Sequence, residues 1–250
     1  MRVLRRLPHP GLGFTQGLIQ NGGTVWESTG QYGQSSLRRY QLGAPETERS
    51  APLAPELFAE GICRSGDHIW QLTWQERVAL RWHPQTLALL GTVPYNREGW
   101  GLCNARTHLL TSDGSSELVR RDPGTLKPLG IIRVRYHGSR LEGLNDLDWS
   151  AGRVWANLLA RPYLVGIDPD SGEVVDIVDA RAARERHRDD PEAVMNGITS
   201  LPLPGEFLLT GKGWRFIYHV RLTSDRHRKL SDRLLAQLTG PAGSTEESRR

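Results

Sequence analysis

This sequence predicts an all-β protein, a five-bladed β-propeller with four-stranded blades. A short pattern recurs five times at blade-like intervals, the same train of strands and turns follows each recurrence, and one surplus N-terminal strand matches one strand missing at the end. The pattern is a variable residue, then Gly, then Leu or Ile. It stands in FTQGL (14–18), FAEGI (58–62), GWGL (99–102), LNDL (144–147) and MNGI (195–198). Its first places are Gln16, Glu60, Trp100, Asn145 and Asn196, and its second place is Gly except for Asp146. The intervals are roughly 40 to 50 residues, the length of a propeller blade.

Within each interval the parts come in a constant order. An apolar second strand follows the pattern: TVWEST (24–29), HIWQLT (68–73), HLLTSD (108–113), RVWANL (153–158) and EFLLTG (206–211). A Gly-rich or polar turn comes next, as in GQYGQS, WQER and KGWR, and then a third strand: SLRRYQL, VALRWH, ELVRRD, YLVGID and FIYHVRL. In three units a turn with Pro and Thr or Ser ends that strand, HPQT (83–86), DPGT (122–125) and DPDSG (168–172), which are type I turn signatures. Fourth strands follow in LLGTV, LGIIRV and VVDIV. The fifth unit lacks a fourth strand, whereas RVLRRL (2–7) is a strand without a unit. The N-terminal strand therefore closes the last blade, which also protects the sheet edges. Residues 1–239 form one domain, with a short helix or surface arm over 224–239, and 240–250 form a disordered tail.

Composition agrees. Of 250 residues, 38% are hydrophobic, and the 27 Gly and 15 Pro suit a turn-rich β protein. The net charge of +4 is mild, and the basic clusters at 181–188 and 226–233 are interleaved with acids. They read as solvated surface rather than as a nucleic-acid site. No apolar run reaches membrane-spanning length. MRVLRRLPHP lacks the apolar core of a signal peptide, so the expectation is a cytoplasmic monomer, or a secreted or periplasmic one if the chain is a trimmed form. Cys63 and Cys103 stand three residues after two of the first places, so they occupy equivalent buried positions as free, inert thiols.

The predicted topology gathers functional groups at one place. The connection leading into each inner strand and the turn between strands two and three open on the same face. The five first places converge there with Gly30, Trp74, Gly114, Leu159 and Lys212. The result is a concave, aromatic-walled mouth with a few polar groups. Trp26, Trp70 and Trp155 share one strand position and belong to the core, whereas Trp74 and Trp100 escape that pattern and belong to the walls. Asp113 reads as a turn residue, and His83 and His187 as surface.

The ordered set FTQGL, ESTGQYGQSSLR, FAEGI, LTW, GWGL, SDGSSEL, LNDLDW, VWAN, NGI and LTGKGW, spanning 14–214, resembles the plant-type glutamine cyclotransferases, which also occur in bacteria. The resemblance implies a five-bladed propeller that converts the N-terminal glutamine of a peptide or protein to pyroglutamate and releases ammonia, with no cofactor and no metal. It implies that Glu60 is the acid/base carboxylate. Gln16, Asn145 and Lys212 match the family's polar positions, and Phe14, Phe58, Trp74 and Trp100 its aromatic ones. One departure touches substrate binding: after VWAN the family pattern continues with Val-Trp, so a tryptophan stands where this chain has Leu159.

That reaction needs a base for the α-ammonium, an acid for the departing ammonia and donors for an oxyanion. Glu60 is the only acid among the first places, and Lys212, the Asn145 amide and the Trp100 indole N–H are the candidate donors. Plainer readings stand beside these. Glu60 and Lys212 fit a buried ion pair, Asn145 with Asp146 fits a turn, and Asn196 fits a structural hydrogen bond better than a ligand contact. Two other functions also fit: a calcium-dependent lactonase-like hydrolase with Glu60, Asn145, Asp146 and Asn196 as ligands, and a propeller that binds peptides without catalysis.

Overall fold

The computed structural model describes residues 1–183 and 192–223. The expected arm at 224–239, the tail at 240–250, His187, the basic cluster at 226–233 and most of that at 181–188 lie outside the described residues. Five four-stranded antiparallel sheets follow one another along the chain. The first holds β2 (Thr15–Asn21), β3 (Thr24–Thr29), β4 (Ser36–Gln41) and β5 (Arg49–Pro52). The second holds β6 (Ala59–Ser65), β7 (His68–Thr73), β8 (Val78–Trp82) and β9 (Leu89–Pro94). The third holds β10 (Leu102–Asn104), β11 (Leu109–Thr111), β12 (Glu117–Arg121) and β13 (Pro128–Arg133). A small hairpin, β14 (Arg135–Tyr136) with β15 (Ser139–Arg140), precedes the fourth sheet. That sheet holds β16 (Leu144–Ser150), β17 (Arg153–Leu158), β18 (Tyr163–Ile167) and β19 (Val174–Asp179). The fifth joins β20 (Met195–Ser200), β21 (Glu206–Gly211) and β22 (Phe216–Arg221) to the N-terminal β1 (Arg2–Pro8), which pairs antiparallel with β22. The five-bladed ring and its N-terminal closure are as the sequence predicts. The β14–β15 hairpin and β5 carry little signal in the sequence, because both are short and polar and neither alternates clearly.

The inner strands β2, β6, β10, β16 and β20 touch in cyclic order around the axis. In the first three blades their approach is too close for a side chain at the second place of the pattern. A Cβ on Gly61 would strike the backbone oxygen of Trp100, and one on Gly101 the backbone oxygen of Asn145. The aliphatic third places face outward into the core. Among the described residues the buried apolar side chains form five clusters, each between two adjacent blades. Trp26, Trp70 and Trp155 lie in three of them, as expected from their common strand position. Cys63 and Cys103 are free and buried in two, and burial pushes both thiols up. Each fully buried Leu, Ile or Phe contributes about 1.5–3 kcal/mol by leaving water, so blade-to-blade packing is the main source of stability.

The proline turns add direct locks on the face opposite the mouth. Trp26 Nε1 donates to the Pro84 carbonyl at 2.7 Å, Trp70 Nε1 to Pro123 at 3.0 Å and an Arg120 guanidinium nitrogen to Pro169 at 2.7 Å. Each bond ties one blade to the turn of the next. An indole buried among apolar groups needs such an acceptor for its N–H.

Closure of the ring carries a buried ionic clasp. His9 follows the closing strand β1 and is 4% exposed. Its Nδ1 donates to the Trp214 carbonyl of blade five at 2.7 Å, and its Nε2 to Glu27 Oε1 of blade one at 2.9 Å. Thr15 and Tyr40 also donate to the Glu27 carboxylate, at 2.7 and 3.3 Å. Burial pushes the His9 pKa down, but the Glu27 charge and both acceptors outweigh it, and the net shift is upward. Burial pushes Glu27 up, but His9 and the Thr15 hydroxyl outweigh it, and the net shift is downward.

The clasp therefore has a defined pH window. The His9 contribution is fully present below the imidazole's unfolded pKa and is lost as pH rises through its raised folded value. The Glu27 contribution is present above the carboxyl's unfolded pKa and is lost as pH falls through its lowered folded value. Removing one member of a buried pair costs about 3–5 kcal/mol, and each kcal/mol moves Tm by about 2–4 °C in a domain of this size. His9→Ala should thus lower Tm at pH 6 by roughly 10 °C in scanning calorimetry, and by less at pH 9. A fall of under about 2 °C at pH 6 would show that the clasp does not hold the ring closed.

Candidate functional site

The recurring tripeptide is a β-bulge. In blade two the pairing runs Ala59 to Thr73 and then Ile62 to Gln71, so Glu60 and Gly61 together oppose Leu72. The same two-against-one step falls at Asn145–Asp146 and at Asn196–Gly197, and a register shift falls at Gln16. A bulge re-aims the side chain it displaces, and four of the five first places lie in one. Asn145 and Asp146 therefore lie in a strand, which overturns the turn reading. Local sequence favours a turn at Asn-Asp, but sheet pairing with β17 decides the conformation.

Four of these side chains are nearly inaccessible: Gln16 is 3% exposed, Glu60 6%, Asn145 3% and Asn196 0%. Asn196 Nδ2 donates to Gln16 Oε1 at 2.7 Å, and Gln16 Nε2 donates to Glu60 Oε1 at 3.3 Å. Asn196 thus makes the structural hydrogen bond expected of it. Burial drives the Glu60 carboxyl well above the usual range; the Lys212 charge pulls it partly back, and Asp146, Glu76 and Glu98 push it further up. Lys212 follows β21, and its pKa is lowered by burial and partly restored by Glu60. The two side chains influence one another through space, with no direct ion pair between them of the kind the simpler reading required. Instead the Lys212 ammonium sits 4.6 Å from the centre of the Phe14 ring, a cation–π contact.

The aromatic residues form one wall. Phe58 meets Phe14, Trp74 and Tyr32 edge to face, at centroid distances of 6.3, 5.6 and 5.3 Å. Gly30 leaves the space that the Phe58 ring fills, since a Cβ there would overlap it. Trp74 Nε1 donates to Glu98 at 3.1 Å, which fixes its indole. Trp100 stacks over Gly114, and its Nε1 is buried with no partner among the described residues. Ser112 Oγ accepts the Gly101 N–H and donates to the Asn145 carbonyl, both at 2.7 Å, so it seats Trp100 and Asn145 on adjoining blades. Leu159 is half-buried at the end of β17, with its N–H on the Gly143 carbonyl at 2.8 Å. No aromatic ring faces the mouth from that position.

Sequence reasoning missed Tyr32 and Glu76. One oxygen of Glu76 accepts the Tyr32 hydroxyl at 2.7 Å, and the other the Phe58 backbone N–H at 3.3 Å. Both residues lie in turns already assigned to the mouth, GQYGQS and WQER, so position was the available signal. Asp113 accepts the Ser115 N–H and pairs with Arg97, as a turn residue. His83 Nδ1 caps the turn at Gln85 and Thr86.

Two of the side chains considered as calcium ligands serve in part as structural ties, though Asp146 Oδ1 and Asn196 Oδ1 have no partner among the described residues. Asp146 Oδ2 accepts the Ile198 N–H at 2.9 Å, which binds blade four to blade five, and Asn196 is held by Gln16. Among the described residues no three His, Cys, Asp or Glu side chains are grouped to hold a metal ion.

Comparison with known proteins gives three concordant results. A family model described as glutamine cyclotransferase matches residues 1–222. A glutaminyl-peptide cyclotransferase of Arabidopsis thaliana is 30% identical over 227 residues, which cover 89% of this chain and 71% of that protein. The crystal structure of Myxococcus xanthus glutaminyl cyclase aligns with a TM-score of 0.83 at 34% identity, over 89% of this chain and 96% of the other.

Proposed function

The chain belongs to the glutamine cyclotransferase family, and we propose that it cyclises the N-terminal glutamine of peptides or proteins with Glu60 as the single proton carrier. The observation that carries this reading is a buried carboxyl with a raised pKa, standing where the equivalent positions of the other blades present uncharged groups. A carboxyl shifted toward neutrality is suited both to accept and to donate a proton.

The α-amine attacks the side-chain carboxamide carbon, and a C–N bond forms. The amine attacks as the free base, its ammonium proton having gone to solvent; as the bond forms Glu60 takes a proton from the attacking nitrogen, and the carbonyl oxygen becomes an oxyanion. Lys212, the Asn145 amide and the unpartnered Trp100 N–H stabilise that charge. The tetrahedral intermediate collapses as the C–N bond to the former amide nitrogen breaks. Glu60 returns its proton to that nitrogen, which leaves as ammonia, and pyroglutamate remains. Gln16 supports the Glu60 carboxylate. Phe14, Phe58, Trp74 and Trp100 confine the flexible glutamine side chain to ring-closing conformers, which lowers the entropic barrier.

Glu60→Gln preserves size but cannot accept the proton. Loss of general acid–base catalysis costs about 10²–10⁴-fold, so kcat should fall at least about a hundredfold on a Gln-initiated peptide, measured as ammonia release. The parent enzyme's rate should rise through an acidic limb as Glu60 ionises, and the variant should lack that limb. Retention of more than about a tenth of kcat would assign Glu60 a structural role.

This chemistry uses proton transfer and hydrogen bonds alone, so activity should survive excess EDTA and exhaustive dialysis. Loss in EDTA with recovery on adding calcium or zinc would favour the lactonase-like alternative instead. Leu159 offers less surface to the substrate than an indole would. Leu159→Trp should lower KM severalfold and leave kcat within about twofold, because a general binding surface acts on ground and transition states alike. An unchanged KM would remove position 159 from the binding site.

A further inference from the structure

Asn196 is the one first-place residue that the mechanism above leaves without a task. It is fully buried on β20, and its Nδ2 donates to Gln16 Oε1 at 2.7 Å. Its own Oδ1 is buried with no partner among the described residues. An unpaired buried acceptor is costly, and the bond that the Asn196 NH2 makes to Gln16 is what offsets it. What the asparagine supplies is direction. A primary amide has a donor end and an acceptor end. By giving its NH2 to the Gln16 oxygen, Asn196 leaves the Gln16 NH2 turned toward Glu60 Oε1, which it reaches at 3.3 Å. Turning Gln16 over would set NH2 against NH2 on one side and oxygen against carboxylate on the other.

We propose that Asn196 is a positioning residue that acts through Gln16: it locks the Gln16 amide in the orientation that donates to Glu60, and so sets the pH at which Glu60 gives up its proton. The inference rests on the reading of Glu60 as proton carrier and deepens it. The physical basis is that a hydrogen bond to the charged form of an acid favours that form. The other groups that act on Glu60 are Lys212, which favours its ionised form, and Asp146, Glu76 and Glu98, which oppose it; Tyr32 lies within the same field. A substitution at position 196 leaves all of them in place.

The test is a carbon-13 NMR titration of protein labelled at the glutamate carboxyl carbon, with the Glu60 signal identified by its absence in Glu60→Gln. In Asn196→Leu the Glu60 midpoint should move about one unit to higher pH. The acidic limb of kcat/KM should move with it, a loss of about tenfold one unit below the parent midpoint that shrinks as pH rises. Asn196→Ala, which removes the same donor without adding bulk, should show the same displacement if the leucine variant folds poorly. A Glu60 titration that superposes on the parent's, or an activity loss equal at every pH, would overturn the proposal. The NMR measurement needs no turnover, so it judges Asn196 even if Glu60→Gln shows that another group moves the proton.

Discussion

Five strands share one axis, and at Gly17, Gly61 and Gly101 there is no room between neighbouring backbones for a side chain. That crowding is the constraint on which the rest of the architecture depends. Glycine admits the neighbouring backbone, as at Gly61 against Trp100 and Gly101 against Asn145. The bulge at the same point turns the preceding residue out of the ladder toward the mouth. Close packing and display of functional groups are thus one geometric event repeated around the ring. Blade four is the variation that makes the rule clear. Asp146 replaces the glycine, and its carboxylate takes the Ile198 N–H where the other blades rely on backbone contact.

Burial alone does not distinguish the acids of this protein; their partners do. Glu27 is buried against His9, two hydroxyls and a nearby guanidinium, and it stays ionised as part of the closing clasp. Asp146 and Asp148 accept the backbone N–H groups of Ile198 and Ser200 and so join blades four and five. Burial pushes Asp148 up to about 7. Glu60 has one long hydrogen bond from an amide and a lysine acting at a distance. Among the buried acids of the described residues it is the one least committed to structure, which fits a group that must change its protonation state during each turnover.

The aromatic wall shows the same economy of parts. Phe58 stands two residues before Glu60, so the segment leading into the strand that carries the acid supplies the centre of the wall. Glu76 ties Phe58 and Tyr32 together across the boundary between blades two and one, and Glu98 fixes the Trp74 indole. The wall is continuous on the side of blades one and two. In blade four the equivalent position holds Leu159, a half-buried aliphatic side chain.

The sequence by itself determined the blade count, the strand order, the closure by residues 2–7 and the ring of first places, because period and alternation are local properties that survive in one dimension. It also placed Glu60, Lys212 and the aromatic residues at one mouth, since topology assigns every equivalent position to the same face. Only the tertiary structure decided what those groups do to one another. Asn196 and Gln16 are 180 residues apart in the chain, and His9 and Trp214 are 205 apart. No local pattern encodes such pairs. They exist because closing the ring brings the first and last blades together, and there distance and burial set hydrogen-bond direction and charge.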